Sequence, residues 1–387
     1  MKVTPPLTAP NDIADFIALR RRLHAAPELS RAEFATSALV AELLTGWGFE
    51  VATGIGGAGV VASLTAGAGE RIIGLRADMD ALPIGEATGL PYASANPGVM
   101  HACGHDGHTT ILLAAARELA EKRNFSGTVR LIFQPAEEVG GAVEMIEDGL
   151  FERFPVDALF GMHNWPGVPE GEFRFIDGPA MAAVDWIIIT IKGKGGHGAM
   201  PHEAVDPIVA ASSLVLALQT IVSRNIDPLE TAVVTIGMMH GGSMPNVIPD
   251  SVELQLNTRA FTEPVRDRVR ERIKLLAEAQ AASFGAVAEV VHPPGFPALH
   301  NHHDETEFAR QVAIRHFGEA KVGALKPLLV SEDFAFMLQK QKGSYPFVGN
   351  GASADLHSPK YDFNDAVIAP AAKYWVALVE DYLAANG

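Results

Sequence analysis

Apolar residues recur at helical spacing near the start of the chain: Ile13, Phe16, Ile17 and Leu23, then Phe34, Ala38, Leu39, Leu43 and Leu44. Pro27 interrupts the run, so two helices are predicted, and Ser30 with Glu33 has the form of a capping box for the second. Glycine-rich turns at 54–59 and 67–69 bracket a short apolar run at 60–64, in hairpin rhythm. Apolar runs at 72–75, 129–133 and 158–162 read as strands, with a helix at 109–119 between the first two. Short apolar strands alternating with helices predict a mostly parallel sheet covered on both faces. Ligands of such sheets collect at the carboxyl ends of the strands. Asp78 and Asp80, Glu137 and Glu138, and His163 each follow a predicted strand within a few residues.

The pattern changes near Met181. A strand at 186–191, a helix at 207–223, strands at 232–239 and 252–259, a helix at 263–283 and a strand at 288–291 follow. This β-α-β-β-α-β order is the split, ferredoxin-like arrangement. Residues 293–297 (Pro-Pro-Gly-Phe-Pro) read as a linker, after which come helices at 305–317 and 332–339 and a glycine-rich strand region at 347–351. The expected architecture is α/β: a mostly parallel-sheet catalytic domain in two segments, 1–181 and 293–387, interrupted by an inserted ferredoxin-like α+β domain at 182–292.

With 387 residues, 48% hydrophobic and 20% charged, the composition is that of a globular protein large enough for two domains. A formal net charge of −16, with no long basic run, argues against nucleic acid as a partner. No apolar stretch approaches the ~18–20 residues of a membrane span. A single cysteine cannot form an internal disulfide, and residues 1–6 lack the apolar core of a signal peptide, so a cytoplasmic location is expected.

Residues 101–108 hold three histidines, the chain's only cysteine and an aspartate. Thiolate and imidazole suit borderline-soft divalent metals, and a thiolate can lie between two ions. Gly104 and Gly107 are expected to loosen the backbone where ligands must converge. Glu137-Glu138 is as readily a solvated turn as a site, but its place after a buried-type strand favours chemistry. Neighbouring carboxylates there can divide metal binding from proton transfer. His163 and His357, taken singly, are as well explained by structural hydrogen bonds. His197, in a glycine-rich loop at 193–198, is ambiguous in the same way. Arg259 presents a fork suited to a carboxylate.

Taken in order, the segments Leu75–Pro83, Met100–His108, Gln134–Glu138, Gly161–His163, Gly193–His197, Asn246–Pro249, Ser331–Phe334 and Leu356-His357 resemble one family. It is the amidohydrolase branch of the dinuclear metallopeptidase superfamily that contains aminoacylases, carboxypeptidase G and hippurate hydrolase. The resemblance runs from Leu23–Ser30 to His357. It implies that Cys103 bridges two divalent metal ions (zinc, manganese, nickel or cobalt), one also held by His105 and His163, the other by Glu138 and His357. Glu137 would be the general base and Asp80 a supporting residue. His197 would stabilise the scissile carbonyl, reaching a partner subunit's site in a homodimer formed through the inserted domain. Asn246 and Arg259 would anchor the carboxylate of an N-acyl amino acid. An exopeptidase with the same centre, or a metal-holding protein without turnover, remain the competing expectations.

Overall fold

The strand Ile72–Asp78 is buried almost throughout, Arg76 and Asp78 included, as expected when both faces of a sheet are covered. It lies inside a six-stranded sheet with the spatial order Glu50–Ile55, Gly59–Ala66, Gly127–Gln134, Ile72–Asp78, Ala158–Gly161 and Gly343–Ser344. The last four strands run parallel and the first two add antiparallel. Leu112 and Leu119 of the helix His105–Lys122, and Trp375 and Leu378 of the helix Ile368–Ala384, share one core with Leu75 and Leu131 of the sheet. The α/β class expected from the pattern is the one observed. This computed structural model describes residues 10–384.

The chain divides into two units. One takes the chain up to Gly178, His300–Lys326 and the chain from Asp333 onward; the other takes Pro179–Leu299 and Pro327–Glu332.

In the first unit the expected strand through residue 162 ends at Gly161. His163–Pro166 then joins a second sheet, with His163 in register with Phe347 of Phe347–Gly351. The change of sheet at Met162 delivers His163 to the carboxyl end of the main strands. The capping box does not form. Ser30 Oγ donates instead to Asp80 Oδ2 (2.7 Å), and Glu33 has no side-chain capping bond at the start of Phe34–Gly46. Glu28 does that work, its carboxylate accepting from the N–H groups of Ala35 and Thr36 at 3.0 and 2.8 Å.

The second unit contains an antiparallel sheet of Ala183–Lys192, Ala232–Gly241, Ser251–Ala260 and Val287–Val291, in spatial order second, third, first, fourth. Its helices Pro207–Leu218 and Glu263–Ser283 bury Leu214 and Ile273 against Ile189 and Leu254 of that sheet. This is the ferredoxin-like order. The helix expected over 207–223 is two pieces, Pro207–Leu218 and Thr220–Asn225, joined at Gln219. The expected linker is partly ordered into the unit, since Phe296 is buried and pairs with Val184.

Candidate metal centre

The helix His105–Lys122 begins four residues earlier than its apolar run suggests, so His105 and His108 lie in its first turn. Gly104 holds φ +96° just before it, a conformation that L side chains rarely adopt. Gly107 has a different role from the one expected. It is helical, and a Cβ there would sit 2.3 Å from the Phe363 ring, so it permits close packing rather than backbone freedom.

His105 Nδ1 lies 2.9 Å from the Asp80 carbonyl and 3.2 Å from Asp80 Oδ1. A carbonyl only accepts, so Nδ1 carries the proton and Nε2 presents a lone pair. That Nε2 is buried without a hydrogen-bond partner. His163 is oriented in the same way: Nδ1 donates to the Asn164 carbonyl (2.7 Å) and Nε2 faces Cys103 Sγ at 3.3 Å. Hydrogen bonding on one ring nitrogen fixes the other for ligation.

Two groups of donor atoms share the Cys103 sulfur. Those of Cys103, His105 and His163 lie within 4.8 Å of one another, as do those of Cys103, Glu138 and His357. His357 Nε2 is 3.3 Å from Glu138 Oε1, and its backbone N–H donates to the Ala102 carbonyl (2.8 Å). His357 and Ala136 are two of the four non-glycine residues with positive φ among the described residues, at +61° and +56°. Backbone strain of this kind gathers where function fixes geometry. Glu137 is buried, with Oε2 4.0 Å from His105 Nε2. Asp80 ties both groups together, since its Oδ2 also accepts from the Glu138 N–H at 3.1 Å.

The residues fit a pair of divalent ions. A buried imidazole nitrogen without a hydrogen-bond partner, His105 Nε2, beside a buried cysteine is costly unless something cationic joins them. Hydrogen bonds to Cys103 and Glu138 push His357 up to about 10. Burial lowers His105, but Asp78 and Cys103 outweigh it and raise the group well above its ordinary value. Burial and the neighbouring His108 hold His163 well below.

Several residues that matter here carry weak sequence signals. Asp78 holds His108 Nδ1 (2.6 Å), and His108 Nε2 faces Asn164 Oδ1 (2.7 Å), wedging the ring behind the donor cluster. Burial raises the Asp78 carboxyl, yet His105, Arg76 and His108 together bring it well below the usual range. Arg76, Gln134 and Asp333 form a buried charged network beneath the Glu137 turn. Their signal was membership of the quoted segments rather than any chemistry of their own.

His197, Asn246 and Arg259 belong to the second unit. His197 pairs with Val247 in a short ladder, and the Gly198 N–H donates to the Asn246 carbonyl (2.8 Å), so His197 and Asn246 are neighbours. Arg259 is remote from them. The ladder of Ala183–Lys192 with Ser251–Ala260 runs from Lys192 opposite Ser251, near His197, to Val184 opposite Arg259, which is roughly 26 Å at ~3.3 Å per residue. Arg259 donates to Ser331 Oγ at 2.6 Å.

A mixed α/β unit that gathers a cysteine sulfur, three imidazoles and two carboxylates at its strand ends has the makings of a dinuclear metallohydrolase. The chain belongs to peptidase family M20/M25/M40, whose model matches residues 74–381, and it is a hydrolase. It is 44% identical over 371 residues to hippurate hydrolase of Campylobacter jejuni, covering 95% of this chain and 97% of that one. It is 43% identical over 360 residues to N-acetyl-L-cysteine deacetylase of Bacillus subtilis, covering 92% and 86%. A solved Bacillus subtilis structure described as a dinuclear metal binding peptidase from the M20 family superposes with a TM-score of 0.84 at 34% identity, covering 97% of this chain and 99% of that one.

Proposed function

We propose that the chain is a metal-dependent amidohydrolase that splits N-acyl amino acids, of the hippurate or N-acetyl type, into a carboxylic acid and a free amino acid. The observation that carries this reading is the shared Cys103 sulfur between two donor groups, with Glu137 beside them. Cys103, His105 and His163 would hold one ion; Cys103, Glu138 and His357 the other. Zinc, manganese, nickel and cobalt all accept this mix of sulfur, nitrogen and oxygen. When bound, such ions polarise an amide oxygen and lower the pKa of a neighbouring water towards ~7.

The chain's own residues supply the rest. Glu137 takes the proton of the attacking water and returns it to the departing nitrogen, a role commonly worth ~10²–10⁴ in rate. His197 Nδ1 accepts from the Ala199 N–H (3.0 Å), so its Nε2 carries a proton, which suits it to stabilise the developing oxyanion. Asp80 fixes the His105 ring and the Glu138 backbone. Arg259 and Asn246 are read as anchors for the substrate carboxylate.

The separation of His197 and Asn246 from Arg259 within one unit supports a dimer. A small substrate cannot span it, so one side of the pair would come from a second copy. The strand Ala232–Gly241 is an open sheet edge with Met238 and Met239 exposed, and Leu216 is exposed on the adjoining helix. Such an edge with apolar neighbours favours pairing with another chain. The inserted unit is therefore read as the dimerisation element. A reducing cytoplasmic setting would keep Cys103 unoxidised. No described helix is long and apolar enough to cross a membrane.

The test is a panel of N-benzoylglycine, several N-acetyl amino acids and dipeptides, assayed with each metal and after chelation. Acylated amino acids should be cleaved faster than dipeptides, and chelation should stop both. Faster dipeptide cleavage would favour an exopeptidase. Absence of turnover with every metal would leave only a metal-holding protein.

A further inference from the structure

The turn that carries Glu137 and Glu138 leaves the strand Gly127–Gln134 and enters the helix Gly141–Glu147. One side chain holds both of its ends. The Asp333 carboxylate accepts from Gln134 Nε2 at 2.7 and 2.9 Å, just before the turn, and from the Ala142 N–H at 2.9 Å, just after it. Arg76 lies 3.2 Å from the same carboxylate and also donates to Gln134 Oε1 (2.8 Å) and Asp78 Oδ2 (2.6 Å). Arg76, Asp78, Gln134 and Asp333 are all fully or almost fully buried. In such surroundings an ion pair with several hydrogen bonds is rigid, because losing one partner strands the others.

Asp333 also reaches the carboxylate of Glu137 itself. Its backbone N–H donates to Glu137 Oε1 at 3.3 Å, while Oε2 is the oxygen that faces His105 Nε2. The two oxygens are therefore distinguished. Oε1 is turned to the scaffold, and Oε2 to the donor cluster where the reacting water belongs.

We propose that Asp333 is the positioning residue of the general base. Its side chain fastens both stems of the catalytic turn, and its N–H selects Glu137 Oε2 as the oxygen that moves the proton. The inference rests on Glu137 acting as the base. Asp333 is not among the residues read above as metal ligands or substrate anchors; it acts through the turn and its hydrogen bond to Glu137. A displacement of the base of about 1 Å is enough to cost up to ~10²-fold in turnover.

The experiment uses the full-length, metal-loaded protein with Asp333→Asn, Gln134→Met, Glu137→Gln and the double variant Asp333→Asn/Glu137→Gln. In Asp333→Asn one acceptor becomes a donor facing Gln134 and Ala142, so the turn loosens. The result expected is kcat lower by ~10–100-fold with KM within about twofold and two metal ions still bound per chain. Gln134→Met, which removes one donor and keeps the volume, should lower kcat less and in the same sense. The double variant should be no slower than Glu137→Gln alone, because a residue acting through the base has nothing left to act on. Three results overturn the proposal: an unchanged kcat in both Asp333→Asn and Gln134→Met, loss of metal in Asp333→Asn, or additive losses in the double variant. If Asp333→Asn does not fold, Gln134→Met and its double with Glu137→Gln decide by the same criteria. Full activity of Glu137→Gln is a separate result, and it would remove the base assignment itself.

Discussion

Glu33 is a carboxyl group with no access to solvent. Its Oε1 accepts from the N–H of Ala136, the strained residue before Glu137, at 2.7 Å, and its Oε2 is buried without a hydrogen-bond partner. Burial, helped by Asp80, pushes the group up to about 7 from 4.5. Between those values the folded protein keeps a proton that the unfolded chain releases. The stability contributed by neutral Glu33 is complete below about 4.5 and is lost as the pH rises through about 7. Glu33→Gln keeps the acceptor for Ala136 and cannot ionise. Relative to the parent it should therefore gain stability between pH 5 and pH 8. Urea midpoints of chelated protein at the two pH values check this, and an equal offset at both would contradict it.

At the scale of elements, the entry to the helix Phe34–Gly46 shows how a local signal is overridden. Ser30 and Glu33 have capping-box spacing, but the Ser30 hydroxyl serves Asp80 and the Glu33 carboxyl serves Ala136, 103 residues away. The free N–H groups of Ala35 and Thr36 fall to Glu28. Glu28→Ala should cost about 1 kcal/mol of stability, as loss of a capping acceptor usually does. Glu33→Ala should cost no capping energy. Thermal unfolding of the two variants with the ions loaded separates capping from effects at the Glu137 turn.

The same scale explains what could be read from the residues alone. Cys103 and His105 declare themselves because two side chains that suit a metal sit two positions apart where one helix begins. The strands Ile72–Asp78 and Gly127–Gln134 declare themselves by mostly apolar runs at 72–75 and 129–133. His163 and His357 do not, since one opens a strand in a second sheet and the other sits at a positive-φ turn. His163 had its place after a predicted strand as a signal, and only the order of the quoted segments drew in His357. The network of Arg76, Gln134 and Asp333 was illegible for a similar reason: three polar residues inside otherwise apolar stretches look like interruptions until the sheet brings them together.

For the whole molecule, the spacing within the second unit makes the clearest demand. His197 lies beside one end of the four-stranded sheet and Arg259 near the other, so both can serve one substrate only if two copies cooperate. A co-expressed mixture of the inactive variants His197→Ala and Glu137→Gln tests this. In random C2 dimers half the assemblies are hybrids and each hybrid rebuilds one complete site, so activity should return to about a quarter of the parent level. Failure to recover any activity while hybrids are demonstrably present would return His197 to its own chain's site.

The proposed chemistry requires one sulfur atom to serve two ions. Anomalous diffraction from crystals of the metal-loaded protein addresses that most directly. Two peaks are expected per chain, each at bonding distance from Cys103 Sγ, ~2.3 Å for zinc, one flanked by His105 and His163 and the other by Glu138 and His357. A single peak, or peaks away from the sulfur with those side chains turned aside, would contradict the account.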